Sequence, residues 1–230
     1  MKSIGILGGM APESTVEYYR TIIEICHQRG LGHSYPVIVI YSVNFHEFVQ
    51  VAKSGNKADV TDFLARGIDV LSGAGAEFAL MASNTPHMVF NELNDRSPIP
   101  LLSIVEATAK AANEAGYKSV GLMGTKFTMQ ADFYSDVLSN KYGISTLVPE
   151  EPDQDYVNDK IMNELVNGIV SEDTRQGLSN IAGAMRQKGI EALILGCTEL
   201  PMVISEETIG FPVLNTTIIH AEAAMDYSLA

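Results

Sequence analysis

Three features of the chain predict an α/β fold built on parallel sheets: short apolar runs rich in Val, Ile and Leu, longer helical patterns between them, and a long internal repeat. The runs fall at 3–7, 37–43, 78–82, 101–105, 120–123, 192–195 and 212–214. Such alternation indicates βαβ units, whose crossover helices bury both faces of a sheet. In the repeat, Gly75-Ala76-Glu77 and the run to Ser83-Asn84 align with Gly189-Ile190-Glu191 and the run to Cys197-Thr198, an offset of 114. Lys2-Ser3-Ile4-Gly5-Ile6-Leu7-Gly8 aligns with Lys118-Ser119-Val120-Gly121-Leu122-Met123-Gly124 at 116, and Ile99-Pro100-Leu101-Leu102-Ser103 with Phe211-Pro212-Val213-Leu214-Asn215 at 112. This period is too long for a solenoid unit and reads as two domain-sized halves related by a pseudo-two-fold. The expected division is a first Rossmann-like domain over 1–98 plus 211–230 and a second over 99–210.

Taken in chain order, the strand at 3–7 enters the turn Gly8-Gly9-Met10, and a helix is expected to begin near Ser14. It carries Tyr18, Tyr19, Ile22, Ile23, Ile25 and Cys26, most of them on one stripe. Cys26 therefore reads as a core residue, with nothing cationic at helix-start spacing beside it. After the strand at 78–82, Thr85 is expected to cap a helix with Pro86 at its first position. The stretch Glu150-Glu151-Pro152-Asp153-Gln154-Asp155 reads as a polar, solvated loop before a helix at 157–168 that stops at Gly168. In open parallel sheets the site lies beyond the carboxyl ends of the strands, so Gly8, Ser83, Gly124 and Cys197 are expected to point into one crevice between the halves.

Composition narrows the function classes. The 230 residues are 46% hydrophobic, enough for a substantial core, and 15 Lys+Arg against 28 Asp+Glu give a formal charge of −13. That balance argues against nucleic acid and anionic membrane surfaces as partners. Met1-Lys2-Ser3-Ile4 runs straight into a strand pattern with no secretory-signal pattern, and no apolar run approaches the roughly 20 residues that span a bilayer, so a cytoplasmic location is expected. Two cysteines, Cys26 and Cys197, make neither a disulfide framework nor a clustered zinc site.

The glycine turn at 5–9 invites a dinucleotide reading, but its G-x-x-G-G spacing lacks the G-x-G-x-x-G fingerprint, and the next strand ends at Ser42-Val43-Asn44 rather than at an acid. Gly8 and Gly9 are instead expected to let backbone N–H groups meet a small anionic ligand at a helix start. Cys197 sits at a strand end before Thr198-Glu199-Leu200-Pro201, where backbone donors would lower the thiol pKa and supply a base or nucleophile. His87, four residues past Ser83, fits a ligand contact and a plain helix-face position equally well.

At these residues the chain resembles the aspartate/glutamate racemase family, amino-acid racemases that use neither pyridoxal phosphate nor metal. The resemblance spans essentially the whole chain: Leu7-Gly8-Gly9-Met10 with Ser14-Thr15, Ser83-Asn84-Thr85-Pro86-His87, Gly124-Thr125, Gly196-Cys197-Thr198-Glu199 and His220-Ala221-Glu222. It implies two similar α/β domains, a substrate between them and one cysteine from each, a thiolate taking the α-proton and a thiol returning one to the opposite face. It also implies a homodimer. Ser83 stands where the first cysteine is expected, either as a natural one-thiol variant or as an introduced Cys-to-Ser change, and a hydroxyl without an adjacent base abstracts protons poorly. Cys197 and Ser83 are then the catalytic pair, with Cys197 carrying most of the proton transfer. The α-carboxylate falls to donors around Asn84, Thr85, Thr125 and Thr198, and Gly9, Met10, Thr128 and Glu199 complete the substrate-binding set. Aspartate-specific relatives are expected to hold the side-chain carboxylate with cations where this chain has Asn44-Phe45-His46-Glu47-Phe48 and Glu164-Leu165-Val166-Asn167-Gly168, so the pattern is closer to the L-aspartate/glutamate-specific and broad-specificity members. The competing readings are a catalytically silent amino-acid-binding protein and a related decarboxylase or cis-trans isomerase that uses Cys197.

Overall fold

The computed structural model describes residues 1–230. The chain divides into two compact units, Met1–Ile104 with Thr217–Ala230, and Val105–Thr216. The first holds β1 (Ile4–Gly8), α1 (Pro12–Gln28), β2 (Ile38–Ser42), α2 (Phe45–Lys53), α3 (Lys57–Gly73), β3 (Phe78–Met81), α4 (Phe90–Arg96) and β4 (Leu101–Leu102). From α5 (Ile104–Glu114) the chain passes into the second: β5 (Ser119–Gly124), α6 (Lys126–Gln130), α7 (Phe133–Tyr142), β6 (Ser145–Leu147), α8 (Glu151–Asn163), α9 (Glu172–Gln187), β7 (Ala192–Gly196), α10 (Glu206–Ile209) and β8 (Val213–Asn215). Helix α11 (Thr216–Leu229) returns to the first unit.

Each unit is one four-stranded parallel sheet, ordered β2-β1-β3-β4 in the first and β6-β5-β7-β8 in the second. The same order twice is what the sequence repeat encodes, since the aligned segments are β1 with β5, β3 with β7 and β4 with β8. The matched glutamates do matching work. Glu77 Oε2 accepts the Ser3 N–H at 2.7 Å while the Glu77 N–H donates to Ser3 O, and Glu191 Oε2 accepts the Ser119 N–H at 3.0 Å while its own N–H donates to Ser119 O. Each carboxylate thereby closes the start of its central strand, and above all those bonds from backbone N–H groups hold both carboxyls below the usual range.

Strand alternation distributes the cores. In the first unit Ile4, Ile6, Phe78 and Leu80 pack with Tyr18, Ile22 and Cys26 of α1 and Ala221 and Met225 of α11. Leu7, Ala79 and Met81 pack with Val60, Leu64 and Ile68 of α3 on the other face. In the second unit Met123, Leu193 and Leu195 meet Val157 and Ile161 of α8 and Leu178 and Met185 of α9. Cys26 is fully buried, as its place on the α1 stripe requires.

Several expectations need correction. The run at 37–43 is not a buried strand: β2 is an edge, with Val37 67% and Ile40 42% exposed, because only β1 pairs with it. The strand expected at 101–105 ends at Leu102. Residues 151–155 are the first turn of α8 rather than a loop, with Pro152 at its start and Glu151 and Asp153 in the first turn, where negative charge suits the helix dipole. That helix ends at Asn163, and a separate 3-10 turn, Leu165–Asn167, precedes Gly168, whose φ of 71° makes it the expected stop. Helix α1 begins at Pro12, two residues before Ser14. No helix is long and apolar enough to cross a membrane.

Candidate active site

In an open parallel sheet the strand order reverses between two neighbours whose carboxyl ends diverge into a crevice. In the first unit those neighbours are β1 and β3, and in the second β5 and β7. The sequence-selected residues gather at these two places.

Beyond β1, Gly8 has no room for a side chain: an added Cβ would lie 2.3 Å from Thr15 Oγ1. Gly9 has φ +88° and would meet the Val43 carbonyl at 2.4 Å. The turn is therefore glycine because helix α1 and the end of β2 crowd it. The Gly9 N–H, expected to face a ligand, donates instead to Thr15 Oγ1 at 2.8 Å. Met10 is buried in the core beside Met81 and Val89.

Beyond β3, Ser83 is 8% exposed and Asn84 4%. Asn84, not Thr85, occupies the cap position of a 3-10 turn, Thr85–Val89, with Pro86 at its start. His87 is committed to backbone on both sides. Its Nε2 accepts the Ile104 N–H at 3.1 Å, which puts the ring proton on Nδ1, and Nδ1–H donates to the Ser83 carbonyl at 3.0 Å. His220, 202 positions from Tyr18 in sequence, completes the group: Nε2–H donates to the Leu102 carbonyl at 3.0 Å, and Nδ1 accepts from Tyr18 Oη at 2.8 Å. The two rings lie 6.1 Å apart edge to face. Burial, reinforced for His87 by the neighbouring ring, pushes His87 down to about 3 and His220 down to about 4, so both are neutral. His87 thus fixes the backbone of Ser83 and is not a base for its hydroxyl.

At the second crevice Gly124 pairs with Gly196 in register, and a Cβ on Gly124 would reach the Gly196 carbonyl at 2.9 Å. Thr125 caps α6, accepting the Thr128 N–H, and the two threonine hydroxyls are 3.0 Å apart. Thr128 is fully buried. The Lys126 N–H donates to Asn158 Oδ1 at 2.9 Å, and its ammonium pairs with Asp155 at 2.5 Å, which raises its pKa. Nothing in the local sequence around Lys126, Asn158, Tyr18 and His220 marks them as partners in these turns. Their partners sit on other elements, so only the topology reveals them.

Cys197 follows β7 directly, 9% exposed. Its Sγ donates to Glu199 Oε2 at 2.8 Å, and Thr198 Oγ1 donates to the same oxygen at 2.8 Å. The expected activation of the thiol is overturned here. Burial, then the Glu199 charge and its hydrogen bond, push the Cys197 thiol well up, and the backbone donors of Thr198 and Glu199 that pull it down are outweighed. Near neutral pH Cys197 is a thiol held against a carboxylate. The 164–168 stretch presents no cation, and Glu164 is itself engaged by Lys160, Thr174 and Ser171.

The Asp/Glu/Hydantoin racemase family model matches residues 7–224. The broad specificity amino-acid racemase RacX of Bacillus subtilis is 26% identical over 236 residues, 99% of this chain and 98% of that protein. An aspartate racemase homologue from Pyrococcus horikoshii OT3 superposes over all of both chains at 35% identity and TM-score 0.88. A candidate Asp/Glu racemase from Yersinia pestis does so at 36% and 0.93. The aspartate racemase of Picrophilus torridus is 26% identical with TM-score 0.79, covering 99% of this chain and 94% of that one.

Proposed function

The chain belongs to the Asp/Glu/Hydantoin racemase family, and from that premise we propose that it racemises a small acidic or polar amino acid by α-proton removal and return, without a cofactor. The observation that carries this reading is the placement of Ser83 and Cys197 just past β3 and β7, the strands at the switch points of two sheets of identical order. Inversion at carbon needs a proton-handling group on each face of a planar intermediate, and a duplicated frame supplies two equivalent strand ends. Cys197 is the principal acid-base group, and Ser83 is a donor, relay or spacer. Asn84, Thr85, Thr125 and Thr198 supply hydroxyl and amide donors for the substrate carboxylate, where enolate-like charge develops. Gly9 and Met10 shape the first turn.

The named activities of the relatives, broad specificity for RacX and aspartate for the Picrophilus protein, support an amino-acid substrate. A cytoplasmic homodimer completes the proposal, and the exposed Val16 and Tyr19 of α1 and Val37 and Ile40 at the β2 edge supply apolar surface for self-association. A silent amino-acid-binding protein is the second reading, favoured by one observation: His87 spends both nitrogens on backbone, leaving Ser83 Oγ without that base.

Incubation with L-aspartate, L-glutamate and L-homoserine in D2O, followed by loss of the α-proton NMR signal, tests the proposal. Exchange with at least one of them is expected. No exchange by this chain or by its Ser83→Cys variant would overturn the racemase reading, and tight calorimetric binding without exchange would install the second.

A further inference from the structure

We propose that Glu199 is a positioning residue that governs the proton on Cys197 Sγ and acts on the reaction through the sulfur rather than by gripping substrate. The turn after β7 builds this pair locally. The Leu200 N–H donates to the Cys197 carbonyl and the Met202 N–H to the Glu199 carbonyl, folding the segment so that the glutamate side chain comes back onto the cysteine two residues before it. Glu199 is only 8% exposed, and its Oε2 already takes two hydrogen bonds from its own turn, from Cys197 Sγ and Thr198 Oγ1, both at 2.8 Å. Glu199 is also the one charged side chain acting on the sulfur.

The chemistry balances within the pair. When the S–H proton passes to Oε2, the S–H bond breaks, an O–H bond forms and the single negative charge moves to sulfur. The thiolate then takes the substrate α-proton: the C–H bond breaks, its electron pair spreads into the substrate carboxylate, and S–H re-forms. In the reverse direction the same carboxyl returns its proton to sulfur. Without Glu199 the thiol would exchange its proton only with solvent, from which burial largely excludes it. The catalytic half of this inference rests on the racemase reading; the thiol–carboxylate coupling does not.

The test uses the full chain and its Glu199→Gln and Glu199→Asp variants. Iodoacetamide alkylation of Cys197 is followed against pH by peptide mass spectrometry, with buried Cys26 as internal reference, and kcat and KM are measured for α-proton exchange. Glu199→Gln is expected to lower the Cys197 alkylation midpoint by about one pH unit or more, because a like charge beside the thiol is gone. It is also expected to cut kcat about tenfold or more with KM nearly unchanged, whereas Glu199→Asp keeps the midpoint near that of the parent. An unchanged midpoint in Glu199→Gln, or an equal drop in both variants, would overturn the coupling. A raised KM at constant kcat would assign Glu199 to substrate and overturn the positioning role. If neither the parent nor its Ser83→Cys variant exchanges any amino acid, the racemase reading fails, while the alkylation midpoints still decide whether Glu199 controls the sulfur.

Discussion

The crevice of the first unit and that of the second are made by the same strand order, yet they solve the problem of a buried polar strand end in opposite ways. Past β3 the polar groups are neutral. Two histidines, kept uncharged by burial, hydrogen-bond to the carbonyls of Ser83 and Leu102 and to the Ile104 N–H, so the turn that carries Ser83 is fixed through its backbone. Past β7 the polar group is a carboxylate that hydrogen-bonds the Cys197 side chain itself. Duplication preserved the frame and left the chemistry of each end free to diverge. One end is a turn for a hydroxyl fixed through its backbone, and the other a thiol hydrogen-bonded to a carboxylate.

The largest effect expected from breaking this asymmetry is at sulfur. Cys197→Ala should reduce α-proton exchange at least about 10³-fold, because the proposed mechanism makes its sulfur the principal acid-base group, and NMR in D2O reads the change directly. Putting a thiol on the first unit's end is the converse experiment. Ser83→Cys should raise exchange about 10- to 100-fold, since a thiol is a far better proton donor and acceptor than an alcohol, and a fall in rate would show that the hydroxyl itself is needed.

The two ends should also titrate in opposite directions. The folded pKa values of His87 and His220, about 3 and about 4, lie below the unfolded value near 6.5. Between those limits the unfolded chain binds more protons, so the stability contributed by neutral burial is complete above about pH 6.5 and is lost as pH falls toward 3. Each ring accounts for on the order of 3–5 kcal/mol at most. Denaturant melts across pH 3–7 should show this slope, flattened in His220→Gln. Cys197 has the opposite sign: its folded pKa is raised, so its contribution is present below the unfolded thiol value near 8.5 and is lost as pH rises past it. Melts from pH 7 to 10 should show that loss, absent in Cys197→Ala. A smaller effect is expected at the glycines that let each crevice close. Gly8→Ala and Gly124→Ala should each cost about 1–3 kcal/mol, since the new Cβ meets Thr15 in one and a backbone carbonyl in the other, measurable by thermal unfolding.

Much of this was legible in the sequence because it was local or repeated. The strand runs and the glycine turns are each written in a few consecutive residues, and the Ser83 and Cys197 segments stand out because one repeats the other. What could not be read depended on the third dimension. Val37 to Tyr41 look like a buried strand, and only the sheet order makes β2 an edge. Residues 151–155 look like a solvated loop because the stretch is polar and acidic, although proline followed by acids is also a helix start. The pull on the Cys197 thiol is not legible in sequence, because the turn's backbone donors show there whereas the depth of burial and the return of Glu199 onto the sulfur do not. His220 pairs with Tyr18 across nearly the whole chain, and no spacing rule announces that.

The most direct test of the account is chiral chromatography of L-glutamate and L-aspartate after incubation with the parent chain and with Cys197→Ala in parallel. The account requires a D-enantiomer to accumulate with the parent and not with the variant. Equal accumulation with both would show that the sulfur past β7 is not the acid-base group, and would contradict it.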